Sequence, residues 1–246
     1  FIVSVIKEKP KGIFLTGDIS NGGLIYWHLK LLASLISCPI YFVLGNHDMH
    51  FSSIEKVYDK IRKLCKQYPN LIWMTDAGIV PINDEAAIIG NEGWYDAANG
   101  KPGYLKLTID WWMTKNFRKL PSMKHRIAVW REMSQRSVDD IVAKLEYAIK
   151  LGYKNIHILT HFPPWASATK HVGTLLEGFW LPYNVNRLLG EALEEVMKRN
   201  NDRYITVWAG HTHDKMDVRI AHNIKCKVSA NHLFGIPKLD DNIIYI

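Results

Sequence analysis

The chain has 246 residues, 48% of them apolar and 22% charged, with a formal net charge of +7. These proportions suit one globular domain over 1–246 with a sizeable core, and they exclude a disordered chain. No uncharged apolar run reaches the ~20 residues of a membrane span, and the excess of Lys and Arg favours anionic partners, phosphate esters or nucleic acid, or simply a solvated basic face.

In chain order, FIVSVIKEKP reads as the end of a helix. The start on Phe1 and not Met leads us to expect a fragment or processed form. KGIFLTGD is a short apolar run ending in Gly17-Asp18, which suits a buried strand feeding a loop. A packed helix is predicted over Leu24–Ile36, then a second strand in IYFVLGN. Ser52-x-x-Glu55 has the form of a capping box opening a helix with apolar positions Ile54, Val57, Tyr58, Ile61, Leu64 and Cys65. Short strands are predicted around Leu71–Met74, Gly78–Ile82 and Ala86–Ile89. The stretch Trp111–Gly152 is helical in pattern, with Ser137-x-x-Asp140 as a helix start and Gly152 as a stop. NIHILTH is a strand and Leu188–Lys198 an amphipathic helix; YITVWAGH, MDVRIA and KCKVSA are the last strands. Alternating strands and helices favour an α/β sheet with helices on its faces. Cys38, Cys65 and Cys226 form no CxxC pair, so we expect free thiols in a reducing cytoplasm and neither a zinc knuckle nor a disulfide framework.

Four predicted strands stop at a polar cluster: Asp18 after LTG, Asn46-His47-Asp48 after VLG, His161 after ILT, and His211 with His213 in AGHTH. Ligands of open α/β sheets bind outside the carboxyl ends of strands. One Asp, one Asn and three His at such ends make a mixed oxygen and imidazole set, which suits Mn, Fe, Zn or Ni better than Ca. Each piece alone is weak, because a Gly-Asp pair is usually a turn and a lone His usually a hydrogen-bonded residue. The signal is the conjunction, in this order, each ending an apolar run.

Gly17–Asn21 (GDISN), Gly45–Asp48 (GNHD), His161 in THFPP and Gly210–His213 (GHTH) together resemble the calcineurin-like metallophosphoesterase superfamily. The resemblance implies a four-layer α/β/β/α sandwich and two divalent metal ions that hold a bridging hydroxide to cleave a phosphomonoester or phosphodiester. It also implies roles: Asp18 as bridging carboxylate, Asn46, His161 and His211 as further ligands of one ion, and His213 as a ligand of the other. His47 is implied as the catalytic histidine, with Asp48 orienting its ring. The DxH motif of the family pattern has no counterpart before Asp18, so the first strand is expected to be missing and one ion to bind tightly in this chain. A nuclease on the same scaffold, or a non-catalytic scaffold protein, are the alternatives. Asn91–Asp96 is a candidate pocket lining and Trp94 equally a core residue. Lys170-His171 reads as a solvated loop and Trp111-Trp112 as packing. His28, His125, His157, His222 and His232 lack motif context and read as structural or exposed.

Overall fold

In the computed structural model, which describes residues 2–98, 109–171, 174–175 and 181–229, the short apolar runs assemble into two main sheets. One holds β1 (Ile13–Thr16), β2 (Ile40–Val43) and β3 (Leu71–Trp73), all parallel, with β1 at an edge. The other contains β4 (Val80–Pro81), β5 (Ala86–Gly90), β6 (Asn155–Leu159), β9 (Tyr204–Ala209), β10 (Met216–Ala221) and β11 (Ile224–Val228), in the order β10-β11-β9-β6-β5-β4. Its four inner strands run parallel, and β4 and β10 close it antiparallel on either side. Every residue of β5 is buried, as expected for an unbroken apolar run covered on both faces. A ribbon of β7 (Lys170–His171) and β8 (Thr174–Leu175) lies apart.

The helices are α1 (Ile2–Glu8), α2 (Ile25–Leu35), α3 (Ile54–Gln67), α4 (Asp110–Met113), α5 (Lys115–Arg118), α6 (Met123–Lys150) and α7 (Arg187–Lys198). Val57, Ile61 and Leu64 recur at helical spacing on α3 and are fully buried. They join Ile25 and Leu29 of α2 and Phe42 and Trp73 of the first sheet in one cluster. Ile141 and Leu145 of α6 and Leu189 and Leu193 of α7 form a second, with Ile156, Ile158, Ile205 and Val207 of the second sheet. The third joins the sheets themselves, Val43 and Met74 meeting Ile88, Leu159 and Trp208, with Phe14 and Tyr41 against them. In these clusters α2 and α3 pack with the three-stranded sheet, α7 and much of α6 with the six-stranded sheet, and the two sheets with each other.

Two expected helix starts are displaced. The cap of α3 is Ser53, not Ser52: its hydroxyl accepts from the Lys56 N–H, and Glu55 is drawn off to the Asn116 side chain. Ser137 does not open a helix. It lies inside α6 with its hydroxyl bonded back to the Met133 carbonyl, and Ser122 is the cap. The predicted stop holds. Gly152, at φ +97°, and Tyr153 bond back to Ile149 and Ala148, the paired closing bonds of a Schellman motif. No helix among the described residues is long and apolar enough to cross a membrane.

Candidate metal centre

The parallel register of β1 with β2, and of β6 with β9, brings four strand ends to one junction between the sheets. Asp18 follows β1, Asn46 and His47 follow β2, His161 follows β6 and His211 follows β9. The chain turns sharply here, with Gly17 at φ +93°, Asp18 at +53°, His211 at +68° and His213 at +67°. Left-handed backbone is uncommon for non-glycine residues, and its clustering at one point marks a strained, over-determined site. Gly45 has no room for a side chain. A Cβ there would overlap Asp18 and lie 2.7 Å from His161 Cε1.

Hydrogen bonds behind Asn46, His161 and His211 fix which of their atoms face the centre. His161 Nδ1 lies 2.7 Å from the Thr16 carbonyl oxygen. A carbonyl only accepts, so Nδ1 carries the proton, and in the neutral ring Nε2 presents its lone pair. Likewise His211 Nε2 donates to the Tyr183 carbonyl at 3.2 Å, which leaves Nδ1 bare. The Asn46 Nδ2 group donates to Asp110 at 2.7 Å, which turns Oδ1 inward. Asn46 Oδ1 then lies 3.0 Å from His161 Nε2, with His211 Nδ1 at 3.2 Å and Asp18 Oδ1 at 3.4 Å from that same nitrogen. Lone pairs from four side chains thus converge, and lone pairs repel unless a cation lies between them. Asp18 Oδ2 is buried with no hydrogen-bond partner among the described residues. The donor set therefore fits a borderline transition-metal ion. Asp18, His161 and His211 form a group whose ligand atoms all lie within 4.8 Å of one another. His213, two residues beyond His211, is not in that group; its charge lowers the basicity of His211.

The electrostatics agree. Burial alone would raise the Asp18 pKa, but His161, His47, His211 and the His47 N–H outweigh it and hold the carboxyl below its usual value. Burial, and after it the charge of His161, push His211 down to about 3, so its imidazole is neutral near pH 7.

His47 is exposed at the mouth of the site, and its N–H donates to Asp18 Oδ1 at 3.0 Å. Its ring stacks on His50, with centroids 4.7 Å apart. Asp48 is fully buried and spends both oxygens on the backbone, accepting from Ser20 N–H at 2.7 Å and Gly45 N–H at 2.8 Å. It thereby ties the loop after β1 to the loop after β2. Burial, then the charge of Asp18, push the Asp48 carboxyl up to about 8; a cation on Asp18 would remove the second cause.

Two further residues near the site are buried and 2.7 Å apart: His50, which spells a DxH triplet with Asp48 but overlaps the GNHD segment, and Asp110, which carried no motif signal. Asn91–Asp96 is buried and braces the core. Glu92 accepts from the Trp73 ring N–H, Asp96 from the Leu188 N–H, and Trp94 packs on Phe117 and Phe162. Trp111 is buried but Trp112 is exposed. Lys170 and His171 form β7, and His232 lies outside the described residues.

A carboxylate, an amide and two imidazoles, delivered by strand ends at the junction of two packed sheets, place this chain among α/β proteins built around a metal centre. Residues 2–215 match the model of the calcineurin-like phosphoesterases, and the chain belongs to that family. The uncharacterized protein L509 of Acanthamoeba polyphaga mimivirus is 26% identical to it over 221 residues, covering 84% of this chain and 74% of its own. Among solved structures, a dimetal phosphatase from Danio rerio (LOC 393393) is similar with a TM-score of 0.56 at 13% identity, covering 93% of this chain and 75% of that one. TT1561 of Thermus thermophilus is similar with a TM-score of 0.52 at 12% identity, covering 94% of this chain and 81% of that one. At these identities the likeness establishes the fold.

Proposed function

We propose that this chain hydrolyses phosphate esters at the junction of its sheets, with a divalent cation held by Asp18, Asn46, His161 and His211 and a second one shared between Asp18 and His213. The observation that carries this reading is the convergence of lone pairs, those of Asn46, His161 and His211 each turned inward by a hydrogen bond behind it. When bound, such ions supply Lewis acidity toward phosphoryl oxygens and a nucleophile at neutral pH. The chain's own residues do the rest. Gly45 lets the Asp18 and His161 side chains approach each other. His47, exposed and stacked on His50, is placed to deliver a proton to the leaving oxygen. Asp48 holds the two loops in register.

Mn²⁺ binding by calorimetry and Mn-dependent hydrolysis of an aryl phosphomonoester and an aryl phosphodiester test the reading. Asp18→Asn is expected to abolish both binding and hydrolysis. His47→Ala is expected to keep its metal and lose ~10²–10⁴-fold in turnover, the usual contribution of a general acid. Loss of metal from His47→Ala would make His47 a ligand. Mn²⁺ binding unaltered in Asp18→Asn would overturn the site.

A further inference from the structure

Asp110 is the first residue of α4, and it lies 64 residues along the chain from Asn46 and 60 from His50. A single oxygen of its carboxylate, Oδ1, reaches both. It accepts from Asn46 Nδ2 at 2.7 Å and lies 2.7 Å from His50 Nε2, which must donate because a carboxylate oxygen only accepts. All three residues are buried, at 4–6% exposure. Two backbone bonds hold α4 against the loop that carries His50: Phe51 N–H to the Met113 carbonyl and Lys115 N–H to the Ser52 carbonyl, each 2.9 Å. The position of Asp110 is therefore fixed by the fold and not by the two groups it serves.

Each arm ends at the site. An amide is ambiguous, since Asn46 could present either its oxygen or its NH₂ to the centre; only the oxygen can ligate. The Asp110 carboxylate resolves this by taking the NH₂. On the other arm, His50 is held by Nε2, and its ring lies face to face with His47 at a centroid distance of 4.7 Å and an interplanar angle of 27°. From this geometry we infer that Asp110 is a positioning residue that acts on the metal through Asn46 and on proton delivery through His50 and His47. This inference rests on the proposed function, and its two arms predict separable effects.

The experiment compares wild type, Asp18→Asn, Asp110→Ala, Asp110→Asn and His50→Phe, with Mn²⁺ affinity from calorimetry, kcat and KM on an aryl phosphate, and melting temperature for folding. Loss of an outer partner of a metal ligand typically costs ~10–100-fold in affinity. Asp110→Ala is expected to lose that much Mn²⁺ affinity and to lose kcat with KM unchanged. Asp110→Asn keeps an acceptor oxygen and is expected to regain the affinity. His50→Phe keeps the stacked ring and leaves the Asp110–Asn46 bond in place, so it is expected to bind Mn²⁺ as wild type does and to lose kcat. This variant also tests the inference if Asp110→Ala fails to fold. Wild-type Mn²⁺ affinity in a folded Asp110→Ala, or unchanged kcat in His50→Phe, overturns the inference. Binding that is lost in Asp18→Asn yet kept in Asp110→Ala refutes the positioning role alone. Binding kept in Asp18→Asn refutes the underlying site.

Discussion

His157 shows how one half-buried ring ties this fold to pH. It lies at the face between the two sheets, where Nδ1 accepts from the Trp208 ring N–H at 3.1 Å and Phe14 packs at 6.3 Å. Burial pushes its pKa from 6.5 down to about 4. Between those values the unfolded chain binds a proton that the folded chain refuses. The contribution is fully present above pH 6.5 and is lost as pH falls toward 4, by roughly 3 kcal/mol at most. His157→Gln keeps an acceptor for Trp208 and removes the titration, so its unfolding free energy should fall less steeply over that window. Equal slopes for variant and wild type would assign the acid loss to other groups. At this scale, the sequence made some residues legible and others not. Asp18, Asn46, His161 and His211 stood out because each ends an apolar run beside a tight turn. Asp110 and His50 act from behind those residues, across some sixty residues of chain, and no local pattern encodes a hydrogen bond of that reach.

Elements were legible where pattern and capping agree. Asn186 caps α7, its side-chain oxygen accepting from the Leu189 N–H at 3.0 Å. The same oxygen accepts from the Ser134 hydroxyl of α6 at 3.0 Å, and its NH₂ reaches the Gly93 carbonyl. One buried side chain thus joins α7, α6 and the loop after β5. Asn186→Ala loses a cap, typically ~1 kcal/mol, and strands buried polar groups at ~1–3 kcal/mol. We expect a fall of about 2–4 kcal/mol in urea-unfolding free energy; a loss under ~1 kcal/mol would reduce Asn186 to an ordinary cap. The predicted α7 start at Leu188 falls within one residue of this cap-defined helix. Ser137 misled for a physical reason. A Ser followed three residues later by an acid is a start signal only if the Ser backbone leaves the helix, and Ser137 instead returns its hydroxyl to Met133 inside α6.

At the scale of the molecule, the alternation of strands and helices made the α/β class legible, whereas two packed sheets were expected only through the family resemblance, because their packing rests on Val43, Met74, Ile88, Leu159 and Trp208, which come from five separate segments. That division has a consequence for the centre. Asp18 and Asn46 follow strands of the three-stranded sheet, while His161 and His211 follow strands of the six-stranded one. An ion bound by all four, as proposed, is a clasp across the main seam of the protein, and separating the sheets would require releasing it. Metal occupancy and global unfolding then form a single thermodynamic cycle. Free Mn²⁺ at about 100 times its dissociation constant stabilises the folded state by ~2.7 kcal/mol, which for a chain of this size raises the melting temperature by roughly 5–10 °C. Chelation should reverse the rise, and Asp18→Asn should melt at one temperature with or without Mn²⁺. A wild-type melting temperature indifferent to Mn²⁺ would mean that the seam holds without its clasp.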